Sequence, residues 1–177
     1  AVCELLERRE LLAVDFGVGL WEMRAPDAEY QDGLGTSVAL SAFRVFSGAP
    51  QDDTGGGTDS GAVRIGNLIP GEYAGGVTAV GVEPYDGFGR AVATGYSEPL
   101  GTEIFIVGAP NESNFGTTPY QSGSAYISRS DNLAHVQHIL NPEPTSYGHF
   151  GESVALNYHY ALIGAPGNWH QNINSGE

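Results

Sequence analysis

The sequence predicts an all-β fold of four-stranded antiparallel meanders, stacked as the blades of a β-propeller. Three observations predict it. A punctuation pattern occurs three times: Gly33-Leu34-Gly35 with Gly48-Ala49-Pro50 and Ser60-Gly61, Gly87-Phe88-Gly89 with Gly108-Ala109-Pro110 and Ser122-Gly123, and His149-Phe150-Gly151 with Gly164-Ala165-Pro166 and Ser175-Gly176. The spacing, roughly 54 to 62 residues, is that of a propeller, solenoid or array. The composition is that of a loop-rich β protein, with 26 glycines, 10 prolines, 9 tyrosines and 7 phenylalanines in 177 residues. Finally, Ile104-Phe105-Ile106-Val107 is a continuous apolar run, as expected of a strand covered on both faces. A blade between two neighbours meets that condition. A two-layer sandwich would alternate apolar and polar residues instead.

The elements follow in order. Residues 1–10 read as a short helix or another strand, with Leu5, Leu6 and Leu12 apolar. Residues 19–24 sit before Tyr30 much as 135–140 sit before Tyr147, and read as the outer strand of a preceding blade. The first full copy has strands near 36–40, 45–48, 62–68 and 77–82, with a polar loop over 51–59. The second has strands near 90–95, 103–107, 124–128 and 135–140, with a loop over 111–121. The third repeats the apolar run as Ala161-Leu162-Ile163 and reaches Ser175-Gly176-Glu177 where its third strand should begin. The division is 1–29, 30–84, 85–146 and 147–177, about three blade equivalents. A chain opening on Ala1 rather than Met reads as a mature product or an excised piece, here of a longer propeller protein; a ring of several chains is the alternative.

The motif residues have physical tasks. The leading glycine lets the chain turn into the innermost strand through φ values closed to other residues. The aromatic before it fills the gap between sheets. In Gly-Ala-Pro, the small residues allow close approach, and the proline withdraws a backbone donor and ends the ladder.

These segments resemble FG-GAP repeats, the units of the seven-bladed propeller of integrin α subunits and of many bacterial surface proteins. The similarity covers roughly 30–177, with Phe88-Gly89…Gly108-Ala109-Pro110 and Phe150-Gly151…Gly164-Ala165-Pro166 nearest the pattern. Leu34 stands where the family has Phe, and it also fills an apolar gap. The resemblance implies a seven-bladed ring and, in many members, Ca²⁺ in an Asp-rich turn between first and second strands. Here those turns are 41–44, 96–102 and 157–159. None carries carboxylates at alternate positions, and Glu98 and Glu103 are isolated. No Ca²⁺ or other cofactor is expected.

The net charge of −14, with seven arginines and no lysine, argues against a nucleic-acid partner. No apolar run approaches the ~20 residues of a membrane-spanning helix. Cys3 has no partner for an internal disulfide. His135 and His138, three apart, would point to opposite faces of a strand and share no metal. His149, His159 and His170 read as surface residues near turns. Gly55-Gly56-Gly57-Thr58 lacks the Gly-Lys-Ser/Thr ending of a phosphate loop. Asn111-Glu112-Ser113 is a glycosylation sequon. No nucleophile–base–acid set or paired carboxylates stand out, so no enzymatic activity is expected.

Two functions fit: a recognition or adhesion module of a secreted or cell-surface protein, binding protein or glycan through its loops, or an accessory propeller domain of a larger secreted hydrolase; a purely structural repeat segment is the further alternative. In either, recognition is expected on the loops after Gly-Ala-Pro, because a rigid ring leaves variation to its loops. They supply Asp52, Asp53, Asp59, Asn111, Glu112, Asn114, Phe115, Tyr120, Trp169 and His170. Aromatic rings among amides and carboxylates suit a sugar or a cationic protein patch.

Overall fold

A computed structural model describes residues 11–15, 19–23, 25–27, 29, 31–68, 73–78, 83–113 and 119–168. These residues are all-β, with no helix among them. β1 (Leu11–Asp15) pairs antiparallel with β2 (Gly19–Met23). β3 (Ser37–Leu40), β4 (Arg44–Ala49), β5 (Ala62–Asn67) and β6 (Tyr73–Val77) form one antiparallel meander. β7 (Ala91–Ser97), β8 (Thr102–Ala109), β9 (Ser124–Arg129) and β10 (His135–Leu140) form a second. β11 (Ser153–Leu156) and β12 (Ala161–Gly164) form a two-stranded sheet. The expected helix or strand over 1–10 lies outside the described residues.

The sheets meet through their first strands: β3 lies beside β7, and β7 beside β11. Between the first two, Phe46, Val63 and Ile65 pack with Phe88, Val92, Phe105, Val107 and Tyr126. Phe88, the aromatic of Gly-Phe-Gly, is fully buried in this layer, with its ring edge-on to Tyr126 at 5.4 Å. Between the second and third, Ile106 and Ala125 pack with Phe150, Val154 and Ile163. Each such buried side chain contributes about 1.5–3 kcal/mol relative to exposure.

One set of backbone hydrogen bonds recurs at every copy. Gly35, Gly89 and Gly151 donate N–H to Gly48, Gly108 and Gly164 carbonyls at 3.0, 3.1 and 2.9 Å. Phe88 and Phe150 donate to Ser60 and Ser122, both at 3.0 Å. Gly89 and Gly151 hold φ near 99° and 100°, in the left-handed region. The glycine of Gly-Ala-Pro answers a different demand. A Cβ at Gly48 would run into the carbonyl of Gly89, and one at Gly108 into that of Gly151.

Two expectations need correction. The fourth strand of the first meander runs over Tyr73–Val77 and meets the expected 77–82 at Val77; 79–82 lie outside the described residues. It pairs Val77 with Val63 and Tyr73 with Gly66 across a bulge, so the strand begins before the valines that suggested it. The Arg64 side chain lies over Gly76 in this strand. The Ala161-Leu162-Ile163 run is not covered on both faces. Leu162 is 74% exposed, whereas its counterparts Phe46 and Ile106 are 0% exposed beneath the following sheet. Among the described residues no further sheet packs on Leu162.

Candidate functional site

The Gly-Ala-Pro segments end β4, β8 and β12 on one side of the molecule, and a cavity of about 600 Å³ opens there. Its walls come from matching positions of the three copies. Pro50, Pro110 and Pro166 of Gly-Ala-Pro line it, as do Thr36, Arg90 and Glu152, each following a leading glycine. Gln51 and Asn111, each after its proline, add amides. Tyr85, Asp59, Gly87 and His149 complete the lining. The conserved geometry thus brings three prolines together while the flanking positions vary in charge and size.

Local structure fixes these side chains. Arg90 reaches across to the third copy, with Nε and Nη2 at 3.1 and 3.0 Å from Glu152 Oε1. Both side chains are partly exposed, so the pair orients the guanidinium more than it stabilises the fold. His149 holds Nδ1 3.3 Å from the Pro110 carbonyl. Thr36 donates its hydroxyl to the Gly33 carbonyl at 2.6 Å. Tyr85 has φ near 70° and stands exposed at the rim. Beyond it, Tyr120 and Tyr147 meet edge-to-face at 5.6 Å, both exposed.

The residues expected from sequence divide three ways. Asp59 and Asn111 line the cavity, and Tyr120 is exposed. Asp53 is exposed and braces its loop by accepting the Asp59 N–H at 2.8 Å. Asp52 and Glu112 turn inward. Asp52 Oδ2 takes Arg64 Nε and Nη2 at 3.1 and 2.5 Å. Glu112 accepts the Tyr126 hydroxyl at 2.7 Å and the Ser124 hydroxyl. Asn114, Phe115, Trp169 and His170 lie outside the described residues.

Burial dominates the electrostatics below the cavity. It raises the Asp52 carboxyl above its ordinary value, even with Arg64 opposing. It raises Asp32 likewise, against the Glu29 N–H donated to its carboxylate. Asp86 goes furthest, to about 7, through burial and the nearby Glu112 and Glu83, despite the Glu83 N–H it accepts. Tyr126 is raised too, by burial and then by Glu112.

The histidine pair also departs from expectation. A bulge between His135 and Gln137 shifts the register of β10 against β9. The extra residue brings both histidines onto Tyr126, His138 stacked at 4.1 Å and His135 tilted at 5.4 Å. They share a face, but an aromatic ring occupies it. Burial and neighbouring His138 lower the pKa of His135. Among the described residues no three His, Cys, Asp or Glu gather as a metal-binding group.

Sequence reasoning missed Arg90, Glu152, His149, Tyr85 and Tyr147. The available signal was phase: Arg90 and Glu152 share one position of the repeat, and Tyr85 and Tyr147 share another. No protein-family model matches the chain, and no curated protein matches it. Among the described residues no helix is long and apolar enough to cross a membrane.

Proposed function

We propose that the sheets are blades of an FG-GAP-type β-propeller and that their Gly-Ala-Pro side is a non-enzymatic recognition surface for a protein or glycan outside the cell. One observation carries this reading. The cavity takes its walls from the same motif positions of successive copies, and only the variable positions differ: Thr36, Arg90 and Glu152; Gln51 and Asn111; Gly87 and His149. A constant scaffold with varied side chains on one face is how repeat folds build binding surfaces. Tyr85 adds an exposed ring beside amides and carboxylates, and Tyr120 is a further exposed ring against Tyr147, a mixture suited to a sugar or a polar protein patch. The match of the three copies to the FG-GAP pattern supports the propeller arrangement, as does the sequence of neighbours β3, β7 and β11.

The test is a screen against immobilised glycans and extracellular proteins, followed by Tyr85→Ala, Asn111→Ala and Tyr120→Ala in the protein that binds. Loss of affinity by about tenfold or more, roughly 1.4 kcal/mol, is expected for Tyr85→Ala with the fold intact. Unchanged affinity in all three overturns the surface assignment. A crystal structure in which β3, β7 and β11 fail to turn about one axis overturns the propeller.

A further inference from the structure

The first two meanders bury matching acidic groups but neutralise them differently. In the first meander, Asp32 and Asp52 are buried, and Arg64 of β5 serves them. Its guanidinium binds Asp52, reaches Asp27 at 3.0 Å, and attracts Asp32 through space. In the second meander, Asp86 stands at the position of Asp32, Glu112 at that of Asp52, and Tyr126 at that of Arg64. Asp86 is 3% exposed and Glu112 4%. Tyr126 supplies a hydrogen bond but no charge. Two buried carboxyls on neighbouring turns are left without an arginine among the described residues, an arrangement that disfavours ionising Asp86.

Every titratable group facing them has a place. Glu83 lies on the turn of Asp86 itself, and its N–H reaches Asp86 Oδ2 at 2.5 Å. From β9 comes Tyr126, held by Glu112. From β10 comes His138, whose Nε2 is 3.3 Å from Glu112 Oε1 without hydrogen-bond geometry. His135 lies on the other side, against Tyr126. The pair is tied to the cavity through the backbone. The Asp86 carbonyl accepts the Asn111 N–H at 3.2 Å, while Tyr85 and Gly87 flank Asp86 and line the wall with Asn111.

We propose that the buried Asp86 carboxyl, on the turn beside that of Glu112, is a proton-operated latch for the cavity: with its proton in place the two turns stay together through the Asn111-to-Asp86 backbone hydrogen bond, and release of the proton to solvent loosens the wall formed by Tyr85, Gly87 and Asn111. With Asp86 neutral, its carboxyl still accepts the Glu83 N–H and Glu112 keeps Tyr126 and Ser124. With Asp86 ionised, a charge stands buried with no arginine beside it, and the contact it strains is the Asn111-to-Asp86 hydrogen bond. The elevated carboxyl of Asp86 puts the release near neutral pH. Any effect on ligand binding rests on the cavity being the recognition site; the latch itself does not.

The experiment compares the protein with Asp86→Asn and Tyr126→Arg. Asparagine keeps an acceptor for the Glu83 N–H and removes the titration. Arginine restores the cation that the first meander has at this position. Amide hydrogen exchange, corrected for intrinsic base catalysis, is read over residues 83–90 and 111–113 between about pH 5 and pH 8. The expected result is a loss of protection of roughly tenfold or more in the unaltered protein, and a flat profile in both variants. Carboxyl carbon NMR of Asp86 in the unaltered protein supplies a measure independent of any variant's folding. An Asp86 carboxyl already ionised at about pH 5, or an Asp86→Asn protein retaining the original pH dependence, overturns the latch. Neither readout needs a ligand, so a failed ligand screen leaves the latch standing, and a flat exchange profile leaves the recognition surface untouched.

Discussion

Phe46 of β4 and Phe105 of β8 lie ring to ring across the first sheet-to-sheet joint, with centroids 4.8 Å apart and no solvent exposure. Each comes from the middle of a second strand, so the contact ties the centre of one meander to the next.

Phe105→Ala is therefore expected to destabilise the fold by about 3–5 kcal/mol, through lost burial and the cavity left behind. Leu162→Ala, at the matching strand but exposed, should stay within about 0.5 kcal/mol. Urea unfolding monitored by fluorescence checks both. Similar midpoints for the two variants would mean that the joint is not a cohesive part of the fold.

The glycine of Gly-Ala-Pro gives a sharper contrast. At Gly108 an added methyl meets the Gly151 backbone carbonyl, which cannot rotate away as a side chain could. Gly108→Ala is expected to cost at least the ~1–3 kcal/mol of an overpacked core, with a corresponding loss of folded yield. Gly55→Ala has open space around the new methyl and should be tolerated. Thermal unfolding of the pair decides the matter; equal melting temperatures would contradict the close approach.

Arg64 is the cation on which the buried acidic cluster of the first meander depends. Asp52→Ala leaves its buried guanidinium with only the exposed Asp27 among the carboxylates it touches. Removing one partner of such a pair costs about 3–5 kcal/mol. Adding Arg64→Met to Asp52→Ala should recover part of that loss, because no unpaired charge remains. A double variant as unstable as the sum of the singles would refute the coupling.

Stability should fall as pH rises from mildly acidic to mildly basic. Asp32, Asp52 and Asp86 all have carboxyls raised in the folded protein. The folded chain then binds more protons than the unfolded chain between the two pKa values, so each group's contribution is largest when protonated and declines through that window. For Asp86 the decline runs from 3.8 to about 7. Asp131 acts oppositely: Arg129 lowers it to about 2, and its contribution is present above 3.8 and lost as pH falls through about 2. Calorimetry should give a higher melting temperature at about pH 5 than at about pH 8. A rise across that range would contradict the prediction.

The meanders were legible because their signals are local. Glycine at a left-handed turn, proline after a ladder, and the apolar run of β8 each act within a few residues. The errors arose where a distant group decides. Nothing near Gly76 in sequence announces the Arg64 side chain over it, so the start of β6 at Tyr73 was hidden. The bulge that turns His135 and His138 onto Tyr126 breaks the simple alternation of a strand. Asp52 and Glu112 read as loop carboxylates, yet their partners Arg64 and Tyr126 lie 12 and 14 residues away on the following strands. At the cavity, Asp59 and Asn111 followed from loop length, whereas Arg90 and Glu152 sit inside the motif, where regularity drew the eye to the glycines.

The hydrogen bonds that recur between neighbouring copies run between main-chain atoms, from Phe88 to Ser60 and from Phe150 to Ser122. A main-chain contact of this kind is blind to the lettering around it, provided glycine remains at the point of contact, as Gly61 and Gly123 do. Duplicated copies can therefore drift apart in chemistry without losing their fit, and one copy can replace another as an interchangeable part. The arginine meander and the tyrosine meander are two outcomes of that freedom within a single chain.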